Sequence, residues 1–333
     1  MKKWISFAIF IICLVGIYLF VNHSLNKKQF YLTESLEIYI EPKSSFSSIM
    51  VLLKENKLIK DSSVCKGYFI ITGKHRRIKA GYYIFDKPLS IIELAEKLVK
   101  GEVVYYKITF PEGSNIYDVG NILEREKVLG AKDYYEAINT EEILMELKEI
   151  DSNIDNVEGY LFPETYHFAK GEKIIKLIKM MIDEFKRRNL KSLKMASKEL
   201  GFSINEIVTM ASLIEKESKD NNEKPLIASV FYNRLKKGMM LQCDPTVIYA
   251  HYLQGRVITI LTADDMHIES AYNTYRNFGL PAGPICNPGK KSLYAAMHPA
   301  HTNYLYFVSK GNGSHYFSKE LNEHLRAKVK YLK

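Results

Sequence analysis

The sequence predicts a protein of the α+β class whose chain starts with an apolar segment long enough to cross a membrane. Residues 4–21 carry no charged side chain, and a helix of about 17 to 25 apolar residues spans a bilayer. Short strand-like and helix-like runs alternate up to about residue 150, and helical periodicity dominates from residue 172 onward. With 333 residues, 47% hydrophobic and 26% charged, the composition is that of a folded chain of about two domains.

The apolar segment is flanked by lysines that predict its orientation. Lys2 and Lys3 precede it directly, whereas Lys27 and Lys28 follow several residues after its end, so the positive-inside bias favours a cytoplasmic N-terminus. A cleaved signal peptide is the alternative. The run is longer than a usual signal core, however, and VNHSL at 21–25 is not a small-x-small cleavage site. We therefore expect an uncleaved anchor over residues 1–28, with residues 29–333 extracytoplasmic.

Cysteine and charge patterns exclude two classes of site. Cys13 lies in the apolar segment, and the remaining Cys65, Cys243 and Cys286 show neither a disulfide framework nor paired zinc-type spacing. The net charge of +9 is spread over short basic runs, such as KRR at 186–188, without interleaved aromatic residues. This favours a lysine-rich exterior near anionic lipid or wall polymer and predicts no nucleic-acid partner.

Residues 29–150 contain a weak internal repeat of strand, turn and helix. Strand-like runs at 36–40 and 105–110 each lead into a proline-containing turn, PKSS at 42–45 and PEGS at 111–114, whose last serine is suited to cap a helix. Between the copies, 80–85 reads as a strand and 90–99 as an amphipathic helix ending at Gly101. The region predicts an α+β binding or spacer module without an acid–base constellation.

Helices dominate the second half of the sequence. Residues 172–200 form a basic helical pattern, and Ser203-Ile-Asn-Glu206 is a capping box that predicts a helix from 204 to about 218. A second helix, 224–237, is closed by Gly238 and is expected to run antiparallel to the first. Proline and glycine become frequent beyond residue 240, which predicts long ordered loops around these helices.

Two glutamates near the end of the capped helix are candidate catalytic groups. At 100° per residue, Glu215 and Glu217 leave the helix on nearly opposite flanks, so at most one of them serves a given cleft. Met210, Leu213 and Ile214 lie one and two turns before Glu217, and a cleft on that flank would desolvate its carboxyl and raise its pKa. A general acid needs such a shift. The alternative is ordinary solvated charge at a helix end.

Seven strings carry a resemblance to a known family. They are EGYLFPETY (158–166), MASLIEKES (210–218), VFYNRL (230–235), LQCDPTVIY (241–249), AYNTYR (271–276), GLPAGPICNPG (279–289) and YLYFV (304–308). In this order, through residues 155–333, they resemble the YceG-like endolytic murein transglycosylases, known as MltG. Together with the apolar segment and the region that follows it, the resemblance covers nearly the whole chain.

The resemblance implies both a fold and an activity. It implies a LysM-like module over 29–150 and a mainly helical, lysozyme-like catalytic domain over 151–333. The family cuts peptidoglycan glycan strands within the chain, at the β-1,4 bond between N-acetylmuramic acid and N-acetylglucosamine, without adding water, and leaves 1,6-anhydro ends. Implied partners are glycan strands, the membrane, peptidoglycan synthases and the division or elongation machinery. No cofactor is implied.

The resemblance also implies site residues. The family's catalytic acid is the glutamate of a helical Glu-Ser or Glu-Thr pair, which matches Glu217 followed by Ser218, with Glu215 as runner-up. Cys243 stands where relatives more often carry threonine. The residues predicted to bind substrate are Glu158, Gln242, Asp244, Tyr272, Asn273 and Tyr275. For Asp244, which precedes a proline, an Asx-type turn is the alternative, and for the tyrosine-containing segment 272–275 the alternative is loop packing.

One carboxyl suffices for the implied reaction, because the sugar's own 6-hydroxyl is the nucleophile. Ordinary glycosidases use two carboxyls, about 5 to 5.5 Å or 6.5 to 9.5 Å apart. Two other interpretations of the function stay open: a wall-binding or division scaffold that does not cut, and a lysozyme-like hydrolase, which the products would distinguish.

Two other patterns carry no site. GKKS at 289–292 resembles the tail of a phosphate loop but lacks its glycine and serine spacing. His298 and His301 flank Pro299 without an accompanying acid or cysteine cluster, so a turn is favoured over a metal site.

Overall fold

The computed structural model describes residues 2–28, 35–60, 62–258 and 260–332, in which thirteen α-helices and six short strands occur. The helices are α1 (Lys2–Asn26), α2 (Phe46–Glu55), α3 (Ser62–Ile71), α4 (Ile91–Lys100), α5 (Ile116–Arg125), α6 (Ala131–Ile138), α7 (Glu141–Lys148), α8 (Ile174–Leu200), α9 (Ile204–Glu217), α10 (Lys224–Lys236), α11 (Asp244–Leu253), α12 (Lys290–Met297) and α13 (Leu321–Tyr331). The strands are β1 (Leu36–Ile40), β2 (Gly81–Phe85), β3 (Tyr105–Thr109), β4 (Thr165–Ala169), β5 (Tyr306–Ser309) and β6 (His315–Ser318). The strands form three two-stranded sheets, β1–β2, β3–β4 and β5–β6. The predicted mixed α+β class is confirmed.

The chain divides into two compact units. Unit 1 consists of Met1–Tyr106 and His167–Glu172, and unit 2 of Lys107–Tyr166 and Lys173–Lys333. Within unit 1, helix α1 contains Phe7–Asn26, which has a mean hydropathy of 2.1 and exposed side chains. By length and composition this helix can cross a membrane, a property that signal sequences share.

Unit 1 has a core between one strand pair and its helices. Strands β1 and β2 run antiparallel, with Leu36 opposite Phe85, and Ser90 and Glu93 form a capping box at the start of α4. Helix α4 ends at Gly101, whose left-handed φ of 73° supplies the C-cap. The core includes Leu53, Phe69, Tyr83, Leu94 and Leu98. The predicted strand at 80–85 and helix at 90–99 are thus confirmed to within a residue.

The two copies of the sequence repeat start their helices differently. Ser45 caps α2 as predicted, its Oγ accepting the Ser48 N–H at 3.1 Å. In the second copy the predicted cap, Ser114, is wrong, because Asn115 takes this position and forms a capping box with Asp118. The Ser114 carbonyl instead accepts hydrogen bonds from the backbone and side-chain N–H groups of Asn287. Asparagine and serine cap helices about equally well, so capping preference does not distinguish Ser114 from Asn115.

Helix α9 lies at the centre of unit 2. Its predicted capping box is present, with Ser203 and Glu206 as partners, and its predicted extent, 204 to about 218, agrees with Ile204–Glu217. Every residue from 207 to 214 is buried, so this stretch of α9 is enclosed on all sides. Helices α8, α10, α11 and α12 all contact α9. The buried hydroxyls on it are satisfied, because Thr209 donates to the Asn205 carbonyl at 2.8 Å and Ser212 to the Thr209 carbonyl at 2.7 Å.

The remainder of unit 2 surrounds this helix. Helix α8 begins at Ile174 and ends at the left-handed Gly201, and part of its basic surface is paired: Lys186 lies 2.7 Å from Glu146 and 2.9 Å from Glu149. Beyond residue 240 the predicted loops are present but are broken by α11, α12, α13 and the antiparallel pair β5–β6. Pro245 and Gly289 stand at the starts of α11 and α12, so residues that were interpreted as loop signals here mark the starts of helices.

Candidate active site

Glu217 is the last residue of α9 and faces a cleft of about 360 Å³. The helix ends here because Ser218 adopts an extended conformation, with φ −140° and ψ 136°, and its Oγ accepts the Asp220 N–H at 3.0 Å. The side chain of Glu217 is therefore delivered by a rigid core helix and is half-buried at the cleft wall. The residues lining the cleft are Glu217, Val230, Arg234, Leu241, Gln242, Asp244, Tyr275, Leu305, Tyr306, Phe307, Val308, His324 and Lys328.

The surroundings of Glu217 favour its neutral form. Burial raises its pKa to about 7 from a usual 4.5, with a further increase from the charge of Asp244, whereas a hydrogen bond from the Cys243 thiol works in the opposite direction. Desolvation is the main cause, as expected for a carboxyl withdrawn from bulk water. Near neutral pH this group can both donate and accept a proton, the property needed of a general acid that later serves as base.

Glu215 has a different environment, on the other flank of α9. Its carboxylate lies 3.3 Å from the ammonium of Lys224, and both side chains are nearly inaccessible, at 9% and 3% exposure. It also accepts the backbone N–H of Gly289 at 3.0 Å, at the start of α12. Glu215 thus ties α9 to α10 and α12 by a buried ion pair and a helix-terminal hydrogen bond. It is not among the residues that line the cleft.

Three of the predicted substrate-binding residues line the same cleft as Glu217. Gln242 and Asp244 are exposed there, and Tyr275 is half-buried. Asp244 belongs to the first turn of α11 rather than to an isolated Asx turn, and its Oδ1 accepts a hydrogen bond from the Tyr275 hydroxyl. This pair joins two strings that lie about thirty residues apart in the sequence, placing a second carboxylate in the cleft.

The other three predicted substrate-binding residues lie outside the cleft lining. Glu158 is 1% exposed and accepts hydrogen bonds from the Ile116 N–H at 3.1 Å and the Tyr249 hydroxyl at 2.9 Å. Asn273 is fully buried and donates to two backbone carbonyls of its own loop, Met266 at 2.9 Å and Ile268 at 2.8 Å. Tyr272 packs on Tyr249 with ring centroids 5.0 Å apart. Glu158 and Asn273 thus make polar contacts within unit 2, and Tyr272 packs within it, so a direct role of these three residues in substrate binding stays a prediction.

Several cleft residues had no assigned role from the sequence. Arg234 lies in the family-like string VFYNRL, and most of strand β5 lies in YLYFV. Membership in these two strings was the only sequence feature that could have pointed to them. His324 and Lys328 lie on α13, where no motif drew attention to them. Burial and the nearby cations Lys328 and Arg234 lower the pKa of His324, which favours its neutral form.

The remaining histidines of interest have structural surroundings. The ring of His298 packs on Tyr294, with centroids 4.5 Å apart, and His301 is exposed. Among residues 2–28, 35–60, 62–258 and 260–332, no group of three or more His, Cys, Asp or Glu side chains is placed to hold a metal ion.

A cleft walled by one acid of raised pKa, a second carboxylate and aromatic rings defines the class of acid–base enzyme sites that act on polar substrates. Comparison with known proteins gives the family. Residues 38–330 match the model of the YceG-like family, and the chain belongs to that family.

Two curated relatives carry the same name. The chain is 37% identical over 311 residues to the endolytic murein transglycosylase of Bacillus subtilis (strain 168), covering 90% of this chain and 85% of that protein. It is 29% identical to the endolytic murein transglycosylase of Streptococcus pneumoniae (strain D39), covering 85% of this chain and 56% of that longer protein. A crystal structure of a YceG-like protein from Listeria monocytogenes is 33% identical, with a TM-score of 0.60, covering 89% of this chain and 99% of that one.

Proposed function

We propose that this protein is a peptidoglycan lytic transglycosylase that cuts glycan strands internally, at the β-1,4 bond between N-acetylmuramic acid and N-acetylglucosamine. The single observation that carries the proposal is the carboxyl of Glu217, set by a core helix at the wall of a cleft, with a pKa raised to about 7. The names of the relatives from B. subtilis and S. pneumoniae support the same reaction.

The first step is proton donation. The protonated Glu217 carboxyl gives its proton to the glycosidic oxygen as the bond between that oxygen and the muramyl anomeric carbon breaks. The leaving N-acetylglucosamine keeps the bonding electron pair and departs as an alcohol, and positive charge develops at the anomeric carbon. General acid catalysis of this kind contributes typically 10² to 10⁴-fold.

The second step returns the proton to the enzyme. The Glu217 carboxylate takes the proton of the muramyl 6-hydroxyl while that oxygen bonds to the anomeric carbon, closing a 1,6-anhydro ring. No water is consumed, and Glu217 ends protonated as it began. The same carboxyl therefore acts as acid and then as base, which a pKa close to neutral permits in both directions.

Gln242, Asp244 and Tyr275 are proposed to hold the saccharide beside Glu217. All three present polar groups to the cleft, and the Tyr275–Asp244 hydrogen bond fixes the ring of Tyr275 on the cleft wall. A tyrosine ring held in this way offers an apolar face on which a sugar ring can stack and a polar edge for its hydroxyls.

The finer domain assignment is part of this proposal. We assign residues 1–28 to an uncleaved membrane anchor with a cytoplasmic N-terminus, 29–150 to a LysM-like region and 151–333 to a lysozyme-like catalytic domain. An apolar helix over Phe7–Asn26 and the lysines on either side of it support the anchor. The core around β1, β2 and α4 supports a LysM-like region, and the helical surroundings of α9 support the catalytic assignment. Partners would be glycan strands and the synthases and division or elongation machinery that act on them.

A hydrolase is the second candidate, favoured by one observation. Asp244 places a second carboxylate in the cleft that holds Glu217, and pairs of carboxyls are the equipment of ordinary glycosidases. In that case Asp244 would act on water or on the anomeric carbon, and the products would carry reducing ends in place of anhydro rings.

The deciding experiment is mass analysis of products. The full-length protein in detergent micelles is incubated with uncrosslinked peptidoglycan strands, and the fragments are weighed. Muramyl ends lighter by one water than reducing ends are the expected result. Fragments that all carry the extra water would make the protein a hydrolase, and intact strands after incubation with folded protein would favour the wall-binding or division scaffold.

A further inference from the structure

Two cations in the lining of the cleft lack a negative partner. Arg234 is 8% exposed, and its guanidinium donates to the Leu241 carbonyl at 2.5 Å and to the Gln242 amide oxygen at 3.2 Å, both of which are neutral acceptors. Lys328 is exposed and lies on α13. Across the described ranges of the chain, neither cation forms an ion pair with a carboxylate, and Nε of Arg234 has no hydrogen-bond partner.

A buried guanidinium without a counter-charge is unusual. Arginine is almost never fully buried unless it is paired, because withdrawing a cation from water costs free energy that a neighbouring anion offsets. The carboxylate of Asp244 lines the same cleft, but it is bonded to the Tyr275 hydroxyl. The charge of Arg234 is therefore available to an anion that a ligand brings into the cleft.

Aromatic rings connect the two cations along one side of the cleft. The central carbon of the Arg234 guanidinium lies 5.3 Å from the centroid of the Tyr306 ring, a favourable cation–π contact. The Tyr306 ring stacks on His324, with centroids 5.2 Å apart and planes 22° apart. His324 precedes Lys328 by four residues on α13, so the two side chains are neighbours on one helix face. All four residues line the cleft that holds Glu217.

The proposed substrate carries negative charge on its muramyl substituents. The hydroxyl and N-acetyl groups of a glycan strand are neutral. The lactyl group of N-acetylmuramic acid ends in a carboxylate or, in peptide-bearing glycan strands, in an amide to a stem peptide that has carboxylates of its own. A guanidinium matches the geometry of a carboxylate, and a lysine ammonium adds a point charge.

We propose that Arg234 and Lys328, joined by Tyr306 and His324, form a carboxylate subsite of the cleft that binds a muramyl substituent and so places the sugar beside Glu217. This inference rests on the proposed function and deepens it, because it names the group of the substrate that is recognised. The subsite makes glycan strands with free carboxylates better ligands than neutral glycan strands of the same length.

The test uses two pairs of uncrosslinked glycan strands and the full-length protein in detergent micelles. One pair bears stem peptides, and the other has been freed of them by an amidase, which leaves lactyl carboxylates. In each pair, one member has its carboxyl groups converted to methylamides. Dissociation constants are measured with Glu217→Gln, in which the proposed acid is removed so that the glycan strands stay intact, and kcat/KM is measured in the wild-type background.

Lys328 is the residue to replace, because Arg234 also holds the backbone at Leu241. Lys328→Met removes the charge of an exposed side chain, and Lys328→Glu reverses it. The matched controls are Lys330→Met and Lys330→Glu, which make the same changes in net charge at an exposed position of α13 that does not line this cleft. They separate the subsite from the general attraction of a basic protein for anions.

Free carboxylates should tighten binding about tenfold relative to the methylamides, as expected for hydrogen bonds to a charged group. Lys328→Met should reduce this preference about threefold, because an exposed charge contributes modestly, and Lys328→Glu should remove most of it. The ratio of kcat/KM values within each pair should follow the same order. Added salt should weaken the preference, and the Lys330 variants should keep the wild-type value.

The two pairs identify the source of the carboxylate. A preference in the peptide-bearing pair assigns it to the stem peptide, and a preference in the other pair assigns it to the lactyl group; either result supports the subsite. Equal binding within both pairs, or a preference that Lys328→Glu leaves unchanged, would overturn it. If Glu217→Gln does not fold, the kcat/KM ratios decide. If wild type cuts no glycan strands, the proposed function fails, while binding to Glu217→Gln still tests the subsite.

Discussion

The two flanks of helix α9 carry the same residue type within one helical turn and give it two different roles. On one flank Glu215 meets a buried lysine and the start of α12. On the other flank Glu217 meets a thiol, a second carboxylate and a cleft. Of these two glutamates, Lys224 pairs only with Glu215, and the cleft is lined only by Glu217. Glu215 therefore contributes to stability, and Glu217 is available for chemistry.

The difference shows that the partner, rather than burial alone, decides the role of a carboxyl. Both side chains are withdrawn from water, which by itself favours the neutral form. An ammonium 3.3 Å away and a backbone N–H compensate Glu215 as an anion. Glu217 has only a weak thiol donor and the repulsion of Asp244, so desolvation dominates and its pKa rises to about 7.

The largest expected effect is the loss of cutting in Glu217→Gln. The amide keeps the size of the side chain but cannot donate or accept the catalytic proton, so kcat should fall by about 10² to 10⁴-fold. The measurement is release of anhydro-ended fragments from uncrosslinked strands. Glu215→Gln, assayed at a temperature where it is folded, is the paired control and should retain most of its activity. If Glu215→Gln lost more activity than Glu217→Gln, the catalytic acid would be Glu215 and the assignment to Glu217 would be wrong.

The next effect is on stability and belongs to the other flank. Glu215→Ala leaves Lys224 buried without a counter-charge, which should cost about 3 to 5 kcal/mol of unfolding free energy. The measurement is the urea unfolding midpoint. Combining it with Lys224→Met removes both charges and should restore most of the loss. A single variant as stable as wild type would show that the ion pair does not hold α9 to α10.

A third carboxyl, that of Glu158, extends the comparison of Glu215 and Glu217, because it is buried but does not line the cleft. Burial raises its pKa to about 8 from a usual 4.5, against hydrogen bonds from Ile116 and Tyr249 that lower it. Its contribution to stability is fully present below about pH 4.5 and is lost as the pH rises toward 8, at most about 1.4 kcal/mol per pH unit.

Glu158→Gln should remove this dependence. The urea midpoint of wild type is expected to fall between pH 5 and pH 8 by more than that of the variant, because the amide carries no charge to desolvate. The variant should keep the hydrogen bonds that its oxygen accepts from Ile116 and Tyr249. Parallel curves for the two proteins would show that Glu158 does not titrate in this range.

The smallest expected effect concerns the hydrogen bond between Tyr275 and Asp244. Tyr275→Phe retains the ring at the cleft wall but releases the exposed Asp244 carboxylate. Because that carboxylate remains in contact with water, kcat/KM should fall by only about three- to tenfold. A loss as large as that of Glu217→Gln would mean that this pair takes part in the chemistry and would strengthen the hydrolase interpretation.

Local signals in the sequence predicted local structure well. The capping box at Ser203 and the glycine at 101 predicted the start of α9 and the end of α4 to within a residue or two, since a cap depends on its own few neighbours. The opposite directions of Glu215 and Glu217 followed from helix geometry alone. Which of the two glutamates faces a cleft depends on segments far away in the sequence, so the helix pattern could not decide it.

Long-range contacts account for most of the differences. The polar groups of Asn273 and Glu158 lie in strings that resemble the family, but whether a polar group faces a substrate or a backbone carbonyl depends on how its loop packs. The buried position of Thr209 and Ser212 on α9 required the surrounding helices to be in place. His324 and Lys328 reach the cleft from α13, a segment without a recognisable motif, and only the fold brings them to Glu217.

The most direct test of the account is the pH dependence of kcat/KM for wild type on uncrosslinked strands. Glu217 carries the catalytic proton in the proposed mechanism, and its pKa of about 7 predicts a falling limb centred near pH 7, with activity decreasing about tenfold per pH unit above it. The limb should vanish with the activity in Glu217→Gln. A rate that is constant through pH 7, or that rises with pH across this range, would contradict the assignment of the acid.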